Sequence, residues 1–142
     1  MLINLIFFAS VGFSQTNQNN SDWKLYIERN GVQFYTKTVK CHDEVNGIHK
    51  EVVLIKATNT TSYKFEIKWK NEIWYDNNCV NCNSKSKEYQ FSMILEGDQS
   101  KEGDCINKEQ GLNIFSKFLN YSDKSVLTKF NLIDLEVNPL LN

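Results

Sequence analysis

The sequence predicts an all-β protein: an antiparallel β-sandwich of about seven strands, immunoglobulin-like in architecture and held by disulfides. Three observations carry that expectation. Apolar and polar residues alternate in successive runs, at the two-residue period of a strand buried on one face. Turn-forming residues separate those runs and no helical periodicity alternates with them, which excludes a doubly wound sheet. A short apolar segment opens the chain, and all four cysteines lie beyond it.

That opening segment, Leu2 to Phe13, is too short to span a bilayer, which takes about 20 apolar residues. Residues 1–14 read as a signal peptide, with the small residues Gly12 and Ser14 preceding a cut before Gln15. No Lys or Arg stands ahead of the apolar run, so its basic region is poor. No cysteine follows the cut, which argues against lipid attachment there. The expected address is the periplasm or the exterior, where thiols pair. The mature chain of about 128 residues suffices for one domain with its own core, over residues 23–142, and contains no expected transmembrane segment.

Charge narrows the partners. Residues 1–14 carry no ionisable side chain, so the mature chain keeps all 16 basic and 17 acidic residues. A net charge of −1 creates no long-range field for a phosphate-rich partner, which argues against nucleic acid. A single proline, Pro139, and 13% aromatic residues fit an ordered fold.

Residues 15–22 are polar and aperiodic and read as a flexible leader. From Trp23 the pattern changes. Trp23, Leu25 and Ile27 alternate with Lys24, Tyr26 and Glu28 as a first strand. Asn30-Gly31 then supplies a hairpin turn, since both positions tolerate positive φ, and Val32 to Val39 returns as the second strand. Cys41 to Gly47 is a loop by composition. Ile48 to Ala57 follows, with Val52-Val53-Leu54-Ile55 apolar on both faces, as in a strand buried on both sides.

After the turn Thr58 to Thr61 comes the clearest run. Tyr63, Phe65, Ile67 and Trp69 face one way; Lys64, Glu66, Lys68 and Lys70 face the other. Tyr89, Phe91, Met93 and Leu95 repeat that arrangement, and Glu96 to Asp104 is a polar loop. Leu112 to Leu119 suits a strand or a short helix; Gly111 and the β context favour strand. The last strand, Val126 to Val137, changes its apolar parity between Leu132 and Ile133, which predicts a β-bulge.

Cys41, Cys79, Cys82 and Cys105 allow three full pairings. Cys79-Val-Asn-Cys82 lies in a polar turn between two strands, which favours a local bridge and a long Cys41–Cys105 bridge across the fold. In the chain-entropy model the long bridge contributes about 4 kcal/mol and the short one about 2. Three other chemistries compete for these residues. A redox dithiol needs a helix N-terminus, whereas Asn83 to Lys87 leads into a strand. Haem attachment needs histidine after the second cysteine, and position 83 is Asn. A zinc site on the four cysteines, with His42 in reserve, is opposed by an oxidising compartment.

Elsewhere the chemistry is sparse. His42 and His49 are the available bases, and neither lies in a nucleophile motif, so both read as surface residues of loop and strand. Glu96, Asp98, Glu102 and Asp104 lack the spacing of a calcium loop. Asn19, Asn59 and Asn120 open glycosylation sequons, meaningful in a eukaryotic source. No catalytic residue, cofactor or metal is expected. If the Tyr63 strand stays in register, Trp74 falls on its charged face. It then offers a stacking platform for a sugar or a protein contact, with Tyr75 beside it. The favoured alternative is a bulge near Asn71-Glu72 that turns Trp74 inward, or lysine stems that cover it. Trp23 and Trp69 read as core.

Taken together, Trp23, Gly31-Val32, Tyr35, Cys41, the Val-Leu-Ile strand ending near Asn59, Trp69, Trp74-Tyr75, Cys79-x-x-Cys82 and Gly103-Asp-Cys105 resemble small exported β-sandwich proteins of Bacteroidota. The resemblance, which extends to Leu112, Phe115 and Phe118, implies a β-rich envelope or secreted module and supplies no activity. The expected role is therefore a non-catalytic binding or structural module, with an envelope protein or a glycan as partner. Carbohydrate binding through Trp74 and Tyr75, or thiol-disulfide exchange at Cys79 and Cys82, are the alternatives.

Overall fold

The structure, a computed structural model, describes residues 22–122 and 124–141. The expected signal peptide and the leader before Asp22 lie outside these residues. Nine strands occur among them: β1 (Lys24–Arg29), β2 (Val32–Asp43), β3 (Ile48–Asn59), β4 (Phe65–Tyr75), β5 (Asn78–Cys79), β6 (Gln90–Leu95), β7 (Ser100–Glu102), β8 (Asn113–Phe118) and β9 (Leu127–Pro139). Two single 3-10 turns, Lys87–Tyr89 and Lys108–Gln110, complete the regular structure. Among the described residues no helix is long and apolar enough to cross a membrane.

Every pairing is antiparallel, and the strands form two sheets. In the first, β1, β2 and β3 lie side by side, and the far edge of β3 takes β7 and then β8. In the second, β4 is central, with β9 along one edge and β6 and β5 in succession along the other. Their facing residues form one core: Val32, Phe34, Val53, Ile55 and Ala57 from the first sheet meet Phe65, Ile67, Trp69, Leu95 and Val137 from the second. Each fully buried side chain of this size contributes about 1.5–3 kcal/mol. The connectivity departs from the immunoglobulin expectation. β1, β2 and β3 form a meander within one sheet, whereas the second and third strands of an immunoglobulin domain sit in opposite sheets.

Local chemistry explains the meander. Asn30 and Gly31 adopt φ of 51° and 81°, the left-handed pair that a two-residue hairpin requires. β3 is apolar on both faces because it serves two cores. Val53, Ile55 and Ala57 enter the sandwich, while Val52 and Leu54 join Cys41 in a smaller cluster on the outer side, packed by Trp23, Val39 and Cys105. Trp23 is thus half-buried outside the sandwich rather than in its core, with Lys56 Nζ 4.8 Å from its ring centroid. Leu25 also differs from expectation. A register shift between Leu25 and Ile27 breaks the alternation, leaving Leu25 exposed.

The β3–β4 connection crosses between sheets, and Asn59, only 1% exposed, organises it. Its Nδ2 donates to the carbonyls of Tyr63 (2.6 Å) and Glu96 (3.0 Å), and its Oδ1 accepts from Thr61 N–H and Oγ1–H. Tyr63 therefore belongs to a turn and is exposed, and the strand expected from Tyr63 starts at Phe65. With its amide committed inside the fold, Asn59 is closed to glycosylation in the native state. The bulge expected in the last strand is present. Lys68 faces Glu136 and Lys70 faces Ile133, and the extra residues include Asp134 at φ 51°. The segment 113–118 is strand, as the β context favoured.

Among the described residues no strand pairs with the outer edge of β9, and side chains of the first hairpin cover it. Arg29 Nη1 donates to the Leu135 carbonyl at 3.3 Å, Asn30 Nδ2 donates to the Val137 carbonyl at 3.2 Å, and Tyr26 Oη accepts the Leu132 N–H at 3.2 Å. Bulge and capping side chains together blunt an edge that would otherwise template another strand.

Candidate functional site

The cysteines pair as Cys41–Cys105 and Cys79–Cys82, and none is free. The long bridge ties the end of β2 to the loop before β8, over the outer cluster of Cys41, Val52 and Leu54. All four sulfurs are committed, so the thiolate zinc site weighed from the sequence has no ligands here.

The short bridge closes a turn around Asn81, which is 2% exposed. Along β4, pairing with β6 ends at Lys70 and pairing with β5 begins at Trp74. Asn81 fills that gap. Its Oδ1 accepts the Ile73 N–H at 2.9 Å and its Nδ2 donates to the Asn71 carbonyl at 2.6 Å. Val80 N–H adds a bond to the Ile73 carbonyl at 3.0 Å. A side-chain amide thus stands in for a strand peptide, and the ring of Cys79 to Cys82 holds it there. The chain beyond Cys82 passes through a turn into three residues of 3-10 helix, so no helix dipole acts on the sulfurs.

Asn71 extends this polar seam into the core. Trp69 Nε1 donates to Asn71 Oδ1 at 3.1 Å, and Asn71 Nδ2 donates to the Gly111 carbonyl at 3.0 Å. Gly111 has φ 69°, and a Cβ there would collide with the Phe91 ring. Trp69 itself is 3% exposed, in the core as expected.

β4 keeps its alternation through Ile73, with Phe65, Ile67, Trp69, Asn71 and Ile73 all buried. No bulge forms in β4 at Asn71-Glu72, so Trp74 stays on the outer face with Glu66, Lys68, Lys70 and Glu72. There it is half-buried, flanked by its cross-strand partners Lys129 and Cys79. Lys129 Nζ lies 4.6 Å from the indole centroid, a cation–π contact that covers one face of the ring.

Tyr75 does not share that platform. It packs against the core, its ring 6.3 Å from that of Phe115, and its hydroxyl donates to the Phe115 carbonyl at 2.7 Å. Burial, with a smaller effect from Tyr89, pushes its phenol up to about 12. Adjacent strand residues project to opposite faces, so of the pair only Trp74 lies on the outer face.

Next along the second sheet, a groove of about 780 Å³ opens at the β9 bulge. Lys68, Lys70, Asp134 and Glu136 give it charges of both signs, and the half-buried Phe91 and Leu135 contribute apolar surface. Lys70 is four residues from Trp74, or about 13 Å along a strand. The groove and the indole therefore lie within reach of one extended ligand.

The β2–β3 hairpin closes around Asn46-Gly47, pairing Asp43 with Ile48 and His42 with His49. By composition these residues read as a loop and an adjoining strand, whereas β2 runs on to Asp43. The sequence signal for the hairpin is a second Asn-Gly dipeptide, Asn46-Gly47, around which the two histidines face each other. The acidic residues weighed for calcium serve locally instead: Asp104 accepts from the N–H groups of Ile106 and Asn107, and Glu96 pairs with Lys64 at 3.2 Å.

Comparison with protein-family models, with curated proteins and with solved structures finds no match for this chain.

Proposed function

We propose that the protein is an exported, non-catalytic binding module that uses the outer face of its second sheet, centred on Trp74 and the neighbouring charged groove, to hold an envelope protein or a glycan. The single observation that carries the reading is the location of Trp74. A large indole on a charged outer face, 4.6 Å from the Lys129 ammonium, marks a surface where apolar and ionic contacts are available together. The groove of mixed sign beside it extends that surface. Export is supported by the apolar segment at residues 2–13 and by two disulfides, which persist where thiols are not kept reduced.

Thiol-disulfide exchange is the less favoured reading. Cys79 and Cys82 enclose an asparagine that completes the β4 ladder, so reducing them loosens a buried sheet edge. The test of the binding reading is Trp fluorescence of Trp74→Phe against wild type, over a glycan array and envelope extract fractions. A ligand that perturbs the wild type and leaves Trp74→Phe unperturbed supports the reading. Ligands that bind both proteins equally overturn it.

A further inference from the structure

The tip of the β2–β3 hairpin carries a set of donors that line neither the second sheet nor its groove. Along the core-facing parity of these strands, Val53 and Phe34 are buried, but beyond Thr38 the same face becomes polar: Lys40, His42, His49 and Glu51. His42 and His49 are directly opposed, and their Nδ1 atoms lie 2.8 Å apart. Glu44 joins them: a ring nitrogen from each histidine and one carboxylate oxygen of Glu44 all lie within 4.8 Å of one another. Among the described residues this is the one such group of three.

We propose that His42, His49 and Glu44 form a surface binding site for a divalent transition-metal ion. The donor types select the class. Two imidazoles and one carboxylate suit copper, zinc or nickel, whereas calcium and magnesium want more oxygen ligands than one side chain supplies. The spacing fits as well. Two nitrogens about 2.0 Å from a common ion stand about 2.8 Å apart at a right angle and about 3.3 Å apart at the tetrahedral angle. The 2.8 Å contact between the two Nδ1 atoms is a hydrogen bond in the ion-free protein. Its length equals the first separation and falls about half an ångström short of the second, so a turn of the two rings that aims both lone pairs at one ion admits Cu(II) or Zn(II).

The scaffold holds the donors in place. Asp43 accepts from Asn46 N–H at 3.1 Å and from Asn46 Nδ2 at 2.8 Å, which fixes the turn, and Gly47 supplies its positive φ of 63°. The Cys41–Cys105 bridge anchors the residue before His42, and Leu119 N–H donates to the His49 carbonyl at 2.8 Å. Three protein ligands leave coordination positions for water or for a donor from a partner. This site stands independently of the Trp74 surface.

The test is calorimetric titration of the oxidised, full-length protein, free of any histidine tag, with Cu²⁺ and then Zn²⁺, together with electron paramagnetic resonance of the copper form. The expected result is one equivalent of each ion, copper bound more tightly, and a copper spectrum with two-imidazole nitrogen coupling. His42→Gln and His49→Gln should each weaken binding about tenfold or more, and Glu44→Gln by a smaller factor. Both histidines lie at the hairpin tip, and circular dichroism with disulfide mapping verifies that each variant keeps its fold. Absence of a saturable equivalent in the wild type overturns the proposal. So does binding that persists unchanged in the H42Q/H49Q double variant.

Discussion

The side-chain carbonyl of Asn81 accepts the backbone N–H of Ile73 at 2.9 Å, the bond one strand would normally offer another. With the 2.6 Å bond from its amide to the Asn71 carbonyl, Asn81 bridges the interval between β6 and β5 along the edge of β4. The Cys79–Cys82 ring is the frame for that amide. A motif associated with electron transfer elsewhere is used here to complete a sheet.

Replacing Asn81 by Ala should therefore destabilise the fold by about 2–4 kcal/mol, because two buried backbone groups lose their partners. Val80→Ala, at a side chain that is 52% exposed, should cost less than about 0.5 kcal/mol. Urea unfolding of both oxidised variants, followed by near-ultraviolet circular dichroism, makes the comparison.

The two bridges should differ in worth. Cys41 and Cys105 are 64 residues apart in sequence, and Cys79 and Cys82 only 3. Loss of the long bridge by paired Ala substitution should cost about 4 kcal/mol and loss of the short one about 2 kcal/mol. The ordering is read from the denaturation midpoints of the two double variants.

Lys129 shields Trp74, so Lys129→Ala should leave the indole more open to a neutral quencher. The loss in stability should be small, about 0.5–1 kcal/mol for a partly exposed cation–π pair. Acrylamide quenching provides the readout, with Trp74→Phe identifying the fluorescence that belongs to this residue.

Alkaline pH should act through Tyr75. Its phenol is pushed up to about 12 in the native state against an ordinary value of 10.0, mainly by burial. Between these values the unfolded chain releases a proton that the folded chain retains, so stability falls as pH rises above 10. In Tyr75→Phe that part of the alkaline decline should disappear. Phenolate absorbance during the titration should show one tyrosine ionising late.

The strands were legible wherever local alternation decided them. Phe65 to Trp69, Phe91 to Leu95 and the doubly apolar Val52 to Ile55 all reported their burial directly. The parity change in β9 disclosed its bulge, and the polar turn around Cys79 and Cys82 pointed to the local bridge. What escaped was chemistry made by distant partners. Tyr63 reads as strand until Asn59 draws its carbonyl into a turn. Trp74 and Tyr75 look like one platform until the pleat separates them. Asn81 is one polar loop residue among several until the gap beside Asn71 and Ile73 is known. His42 and His49 meet only through a register set by Asn46-Gly47, and the sheet assignment of β2 and β3, which decides against immunoglobulin order, follows from that same hairpin.

The most direct test of a sandwich stapled at two points is non-reducing peptide mapping of the native protein, with a parallel thiol titration. Crosslinked peptides joining Cys41 to Cys105, a closed Cys79–Cys82 loop and no titratable thiol are the results this structure predicts. Free thiols in the unreduced protein, or a bridge from Cys41 to either Cys79 or Cys82, would contradict it.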